Sequence, residues 1–349
     1  MLKKKFLVSL VSMLIALSLI FSLTGCGDKS IEPQKPAVQG QTSTTQNEQT
    51  SPSEAAQIIK ATGAYLGLGK APTLSAKEVY DKVVVAKDSS YQVVSIRKAE
   101  DYAKGHIAGS INIPYGEFHK KENIAKLDKN KKIVVVCYTG HTASQVTMLL
   151  NQLGYDAYAM KFGMMGWTND ANVLNTKPFE KAAGYPVETT KNEAQATKII
   201  PEVNNGSSNL EDIILAQTEK YLTSGKAPTI SAEDVYNKVV VGKDAGYFIL
   251  SVRKPDDYAK GHVTGSVNIP YAQIATEENL KKLPTDKKIV VICYTGHTAS
   301  QVTMFLNQLG YDAYAMKFGM MGWTADKDVL NTTAFDKTAG YATTAGINP

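Results

Sequence analysis

Cysteine is scarce in this chain: three residues in 349, with only five histidines beside them. None of them cluster at metal-ligand spacing, which leaves a zinc site or other metal centre without a ligand set. Three cysteines are also too few for a disulfide-stapled scaffold. An excess of one charge sign is nearly missing as well. The formal net charge is +5, and Lys3, Lys4 and Lys5 supply three of those charges, leaving about +2 for the rest. No basic cluster alternates with aromatic residues, so nucleic acid is not an expected partner. Arginine is absent after both downstream cysteines, throughout 138–161 and 294–317. Without a guanidinium to clamp phosphoryl oxygens, cysteine-dependent phosphatase chemistry is disfavoured. What remains is ordinary globular composition, 43% apolar and 20% charged, long enough for two or three domains.

The N-terminus reads as a targeting segment. Lys3 to Lys5 are followed by 18 uncharged residues, Phe6 to Leu23. The run ends Leu23-Thr24-Gly25-Cys26, which resembles the lipobox of bacterial lipoproteins. That resemblance implies a leader over 1–25, lipidation of Cys26, and a lipid-anchored chain on the extracytoplasmic face of the cell membrane. Two acyl chains bury enough methylene groups for stable anchoring. An uncleaved transmembrane helix is the alternative, since the run just meets the length needed to span a bilayer. Residues 26–53, rich in Gln, Thr, Ser, Pro and Glu, read as a flexible tether that cannot bury enough surface to order itself.

A duplication follows, at an offset of 156 residues. Between Lys131–Asp170 and Lys287–Asp326, 37 of 40 positions are identical. A period this long marks duplicated domains and not a solenoid. The expected layout is one domain over 54–184, a polar linker over 185–209, a second domain over 210–340 and a tail over 341–349. Each repeat alternates short β-rich apolar runs (Tyr91–Ile96, Lys132–Val136, Asp156–Met160) with helical spacing, such as Val146, Leu149, Leu150 and Leu153 on one face. Ser75 with Glu78, and Ser231 with Asp234, are expected helix caps. The fold class is therefore α/β, each domain a central parallel sheet flanked by helices.

One segment carries the chemistry. Val134-Val-Val-Cys137-Tyr-Thr-Gly140-His-Thr-Ala-Ser-Gln145 reads as a strand, a cysteine, a loop and a helix start, with Thr142 to Gln145 spaced as a capping box. A cysteine facing a helix N-terminus meets free amides and the positive end of the helix dipole, which favour a thiolate. With Cys26 assigned to lipid, Cys137 and Cys293 have no partner within their own repeats. Unpaired thiols outside the cytoplasm point to reactivity, although a disulfide between the domains is left open.

With these residues in view, the chain resembles the rhodanese family. The shared elements are Ser95-Ile96-Arg97, then Glu100-Asp-Tyr-Ala-Lys-Gly105-His106 through Pro114, the cysteine loop, and Phe162-Gly163-Met-Met-Gly-Trp167, all occurring twice. The resemblance implies two tandem rhodanese-like domains with sulfurtransferase chemistry and neither cofactor nor metal. Cys137 or Cys293 would accept sulfane sulfur from a small donor, thiosulfate or a persulfide, and pass it to a thiophilic acceptor. The implied substrate loops are Tyr138, Thr139, Gly140, His141, Thr142 and Ala143, and Tyr294, Thr295, Gly296, His297, Thr298 and Ala299. Arg97 and Arg253 are expected to support them by pairing with a carboxylate, and His106 and His262 to satisfy backbone groups. Trp167, Trp323 and the neighbouring methionines are expected in the core or pocket wall. Two departures stand out: Thr142 and Thr298 replace a loop cation, and Ser95 and Ser251 replace an aspartate. Losing the cation weakens the hold on a dianionic donor, and His141 and His297 are either exposed or partial substitutes within the sulfur pocket. An inactive module that binds a protein or a small sulfur anion is the alternative function. Disulfide exchange between the two cysteines is a redox variant of the sulfurtransferase.

Overall fold

A computed structural model describes residues 52–346. The expected leader, the lipidation site and all but the end of the expected tether lie outside the described residues. Among the described residues no helix is long and apolar enough to cross a membrane. The described residues form one compact unit containing both repeats.

Each repeat builds a five-stranded parallel sheet. In the first, Thr73–Leu74 (β1), Tyr91–Ser95 (β2), Ile111–Asn112 (β3), Lys132–Val136 (β4) and Asp156–Met160 (β5) lie in the order β1-β5-β4-β2-β3. Thr229–Ile230 (β6), Tyr247–Ser251 (β7), Val267–Asn268 (β8), Lys288–Ile292 (β9) and Asp312–Met316 (β10) repeat that order in the second. The apolar runs explain the central position of β4 and β9. Ile133 to Val136 and Ile289 to Ile292 are all buried, so both faces of the sheet must be covered. Ser75 forms the expected capping box with Glu78, and Ser231 accepts from the Asp234 amide.

The helices after the cysteine loops, His141–Gln152 and His297–Gln308, differ from expectation in being buried nearly all round. Val146, Leu149 and Leu150 are buried as predicted, yet so are Ser144, Gln145, Thr147 and Gln152. The two helices pack against each other, so the polar face of each becomes an interface. Buried amides there demand partners. Gln152 donates to Gln308 Oε1 at 2.8 Å, and Gln308 donates back at 3.0 Å. Each also donates to a threonine of the helix leading into its own repeat, Thr62 on Glu54–Gly67 and Thr218 on Leu210–Leu222. One hydrophobic cluster runs through both halves, from Ile58, Val94 and Val135 to Ile214, Leu250 and Val291. Each of these fully buried side chains contributes roughly 1.5–3 kcal/mol.

The halves also exchange trailing segments. Ala183 and Gly184 donate to the carbonyls of Gly322 and Trp323, both at 3.0 Å, and Trp323 Nε1 donates to Pro186 O at 2.8 Å. Reciprocally, Tyr341 donates to Trp167 O at 2.8 Å, and Trp167 Nε1 donates to Ala342 O at 3.0 Å. Trp167 and Trp323 are fully buried, as expected of core or wall residues.

Candidate active site

Cys137 follows β4 directly and is 2% exposed, as Cys293 after β9 is 1% exposed. Both are free thiols, so no disulfide joins the halves. The Gly140 amide donates to Cys137 Sγ at 3.0 Å, and the Gly296 amide to Cys293 Sγ at 3.1 Å. Both glycines have φ +87°, a left-handed conformation that turns the amide back onto the sulfur. No side chain could be added there. A Cβ on Gly140 would lie 2.4 Å from His297 Nε2.

A second turn braces each loop from below. Met164 and Met165 donate to the carbonyls of Cys137 and Tyr138 at 2.8 and 2.9 Å. Gly163 permits this approach, since a Cβ there would sit 2.4 Å from Cys137 O. Phe162, at φ +64°, is a bulky residue held left-handed by that packing.

Three expectations are corrected here. Thr142 and Gln145 do not form a capping box: the helix starts at His141, its N-cap is Gly140, and no side chain caps it. Gln145 is drawn away by other partners, accepting from Tyr115 and from Tyr221 of the second half. Arg97 and Arg253 do hold the region together, but through carbonyls and not a carboxylate. Fully buried Arg97 donates to the carbonyls of Asp101 at 3.2 Å, Val173 at 2.9 Å and Gly105 at 2.5 Å. Arg253 serves Val329, Asp257 and Gly261 alike. Main-chain oxygens that no helix or strand satisfies need that fork. The carboxylate instead takes the loop tyrosine: Tyr138 Oη donates to Asp101 Oδ2 at 2.6 Å, and Tyr294 to Asp257 at 2.6 Å. Burial works to raise the Asp101 carboxyl, but bonds from Tyr138, Asn175 and Lys104 outweigh it and hold its pKa below the ordinary value. Burial and the bond to Asp257 push the Tyr294 hydroxyl up to about 12.

The third correction concerns the loop histidines. Neither is exposed, and neither bonds the thiol. His141 Nε2 accepts the Phe318 amide at 2.9 Å, and His297 Nε2 accepts the Phe162 amide at 3.0 Å. The rings stack across the interface with centroids 5.7 Å apart. An Nε2 that accepts an amide must be unprotonated, which assigns the proton to Nδ1, donated to Thr139 at 2.8 Å and Thr295 at 2.9 Å. Burial, with repulsion from Lys161, pushes His297 down to about 3, and burial holds His141 well below the ordinary range. These histidines are neutral pins between the halves. His106 and His262 are structural as expected, bonding the carbonyls of Tyr102 at 2.9 Å and Tyr258 at 2.8 Å.

Of the loop residues, only Tyr138, Thr142 and their counterparts Tyr294 and Thr298 retain partial exposure; Thr139, Ala143, Thr295 and Ala299 are buried. Among the described residues, no group of three or more His, Cys, Asp or Glu is arranged to hold a metal ion. The family model for the rhodanese-like domain matches 75–170 and again 231–326. This chain belongs to the rhodanese-like family.

Among the curated relatives of this rhodanese-like chain is YrkF of Bacillus subtilis (strain 168), 31% identical over 88 residues, covering 25% of this chain and 46% of YrkF. The chain thus spans about half the length of that relative. GlpE of Pseudomonas paraeruginosa (strain DSM 24068 / PA7), named a thiosulfate sulfurtransferase, is 30% identical over 110 residues, covering 31% of this chain and 86% of GlpE. A rhodanese-related protein of Thermoplasma volcanium, solved by crystallography, is 29% identical, with a TM-score of 0.25 over 28% of this chain and 90% of the other.

Sequence reasoning named Phe162 only as the start of a motif and did not reach Lys161 or Lys317, or the contact that Phe162 and Phe318, just after β5 and β10, make with the opposite loop. Their identity in both repeats was the available signal, but duplication alone accounts for it.

Proposed function

We propose that this protein is a sulfurtransferase that carries sulfane sulfur as a persulfide on Cys137 and Cys293. The observation that carries the reading is the thiol at the strand end with the Gly140 amide aimed at its sulfur. An amide so placed holds the sulfur at the strand end, in a loop that is partly exposed at Tyr138 and Thr142. With thiosulfate as donor, the thiolate attacks the outer sulfur, the S–S bond breaks, and its electron pair leaves with sulfite. The cysteine is then a persulfide of unchanged net charge. A thiophile such as cyanide attacks the terminal sulfur, leaves as thiocyanate and returns the thiolate. Because both thiols are nearly sealed, loading them with sulfur requires local movement of the residues around them.

The test is thiocyanate formation from thiosulfate and cyanide by the Ser51–Pro349 unit, which holds the whole core. Wild type should turn over, and the Cys137→Ala/Cys293→Ala double variant should be silent. Equal rates in both would sink the reading. One observation favours a second function: two buried thiols without a loop cation suit a module that binds a partner or a small sulfur anion without turnover.

We also read Cys26 as lipidated, on the strength of Leu23-Thr24-Gly25-Cys26, which sets the protein on the outer face of the cell membrane. Cys26→Ala should leave the chain unprocessed, with its leader retained on gel and by mass. Normal processing of that variant would contradict the assignment.

A further inference from the structure

Each cysteine loop lacks a cation of its own at Thr142 or Thr298, yet the opposite half brings a lysine next in sequence to a residue, Phe162 or Phe318, whose amide bonds the loop histidine. The peptide joining Lys161 to Phe162 carries the amide that His297 accepts at 3.0 Å. The turn just after β5 is thereby fixed against the Cys293 loop. Lys161 is only partly exposed, makes no ion pair among the described residues, and lies over the Phe162 ring at 5.2 Å. It lines a cleft of about 400 Å³ between Ser75–Lys77 of its own half and the trailing segment of the second half. Lys317 repeats the arrangement. The Phe318 amide reaches His141 at 2.9 Å, and the lysine lines a cleft of about 450 Å³ roofed by the first half's trailing segment. Each cleft holds a carboxylate, Asp336 or Glu180, but neither lies within ion-pair distance of its lysine, and a half-buried ammonium left unpaired is costly unless an anion neutralises it.

We propose that the missing cation is supplied in trans: Lys161 serves Cys293 and Lys317 serves Cys137, each drawing an anionic sulfur donor through its cleft toward the other half's thiol. The donor's identity as a sulfur anion rests on the sulfurtransferase reading; the placement of the cation does not. The local electrostatics agree. Burial pulls the Lys161 pKa down while negative charge on Cys293 opposes that pull, and the Lys161 charge in turn disfavours a proton on His297. Lys317 likewise disfavours a proton on His141, while its own pKa is lowered by burial alone.

The test uses the Ser51–Pro349 unit with Cys137→Ala, so that Cys293 is its only thiol. Alkylation by anionic iodoacetate is measured relative to neutral iodoacetamide; the ratio cancels thiol reactivity and reports local positive charge. Lys161→Gln should lower that ratio about fivefold, the effect of one partly screened charge. Lys161→Arg should restore it, which a merely structural lysine would not require. The thiosulfate concentration for half-maximal sulfur loading should rise in parallel. An unchanged ratio overturns the proposal. So does an equal fall at Cys137, measured in the Cys293→Ala background, or a thiol that neither reagent reaches. If the ratio falls as expected but no sulfur loads in any variant, the cation assignment stands and the sulfurtransferase reading fails.

Discussion

The chemistry of single residues turns on which neighbours burial forces on them. His141 and His297 carry ring nitrogens that water would protonate in mild acid, but their positions between the halves keep them neutral. The linkage has a definite sign. The unfolded histidine takes a proton below about 6.5, whereas folded His297 takes one only near 3. Across that window the unfolded state binds more protons, so stability falls as pH is lowered. Each histidine should contribute a slope of about 1.4 kcal/mol per pH unit. Denaturant unfolding at pH 7, 5 and 4 should show this slope relative to a His141→Gln/His297→Gln variant. Parallel pH profiles for the two proteins would show that the rings are not held neutral. The sequence alone did not separate an exposed loop histidine from a sulfur-pocket histidine. The answer lies in a partner amide 135 positions away for His297 and 177 for His141.

At the scale of elements, local patterning was legible and pairing between repeats was not. Runs such as Lys132–Val136 and Asp156–Met160 match β4 and β5 residue for residue, because a β-rich apolar run bounded by polar turns has few other uses. The capping box at Thr142 failed because Gln145 has stronger calls on it from two tyrosine hydroxyls than from a helix end. The trailing segments were equally opaque. Tyr341 stacks on Tyr80 with centroids 4.0 Å apart and meets the edge of Trp167 at 5.0 Å, on the half it does not follow in sequence. Tyr341→Ala should cost about 2 kcal/mol, since it removes a stacked aromatic and the cover over a buried indole. Thermal unfolding followed by tryptophan fluorescence checks this, and an unchanged midpoint would show the trailing segment to be loosely laid on the surface. Tyr185, stacked on Tyr236 at 4.1 Å, gives the mirror experiment for Trp323.

At the scale of the molecule, duplication has produced one body with a buried polar seam. The seam is assembled from buried polar residues of the two helices that follow the cysteine loops: Gln145, Gln152 and His141, with their counterparts. That seam is why the loops meet and why each thiol is sealed. The family, the parallel sheets and the two cysteines were readable from motif and period. The composite character of the sites was not, because periodicity describes one repeat at a time. The central claim is that Cys137 and Cys293 each accept sulfane sulfur. Intact mass of the Ser51–Pro349 unit after incubation with thiosulfate, under non-reducing conditions, tests it most directly. The account predicts one added sulfur for each intact cysteine, one in either Cys→Ala single variant, and release of all of it by cyanide. Thiols that remain alkylatable yet gain no sulfur, from thiosulfate or from a glutathione persulfide, would contradict it and leave a binding module.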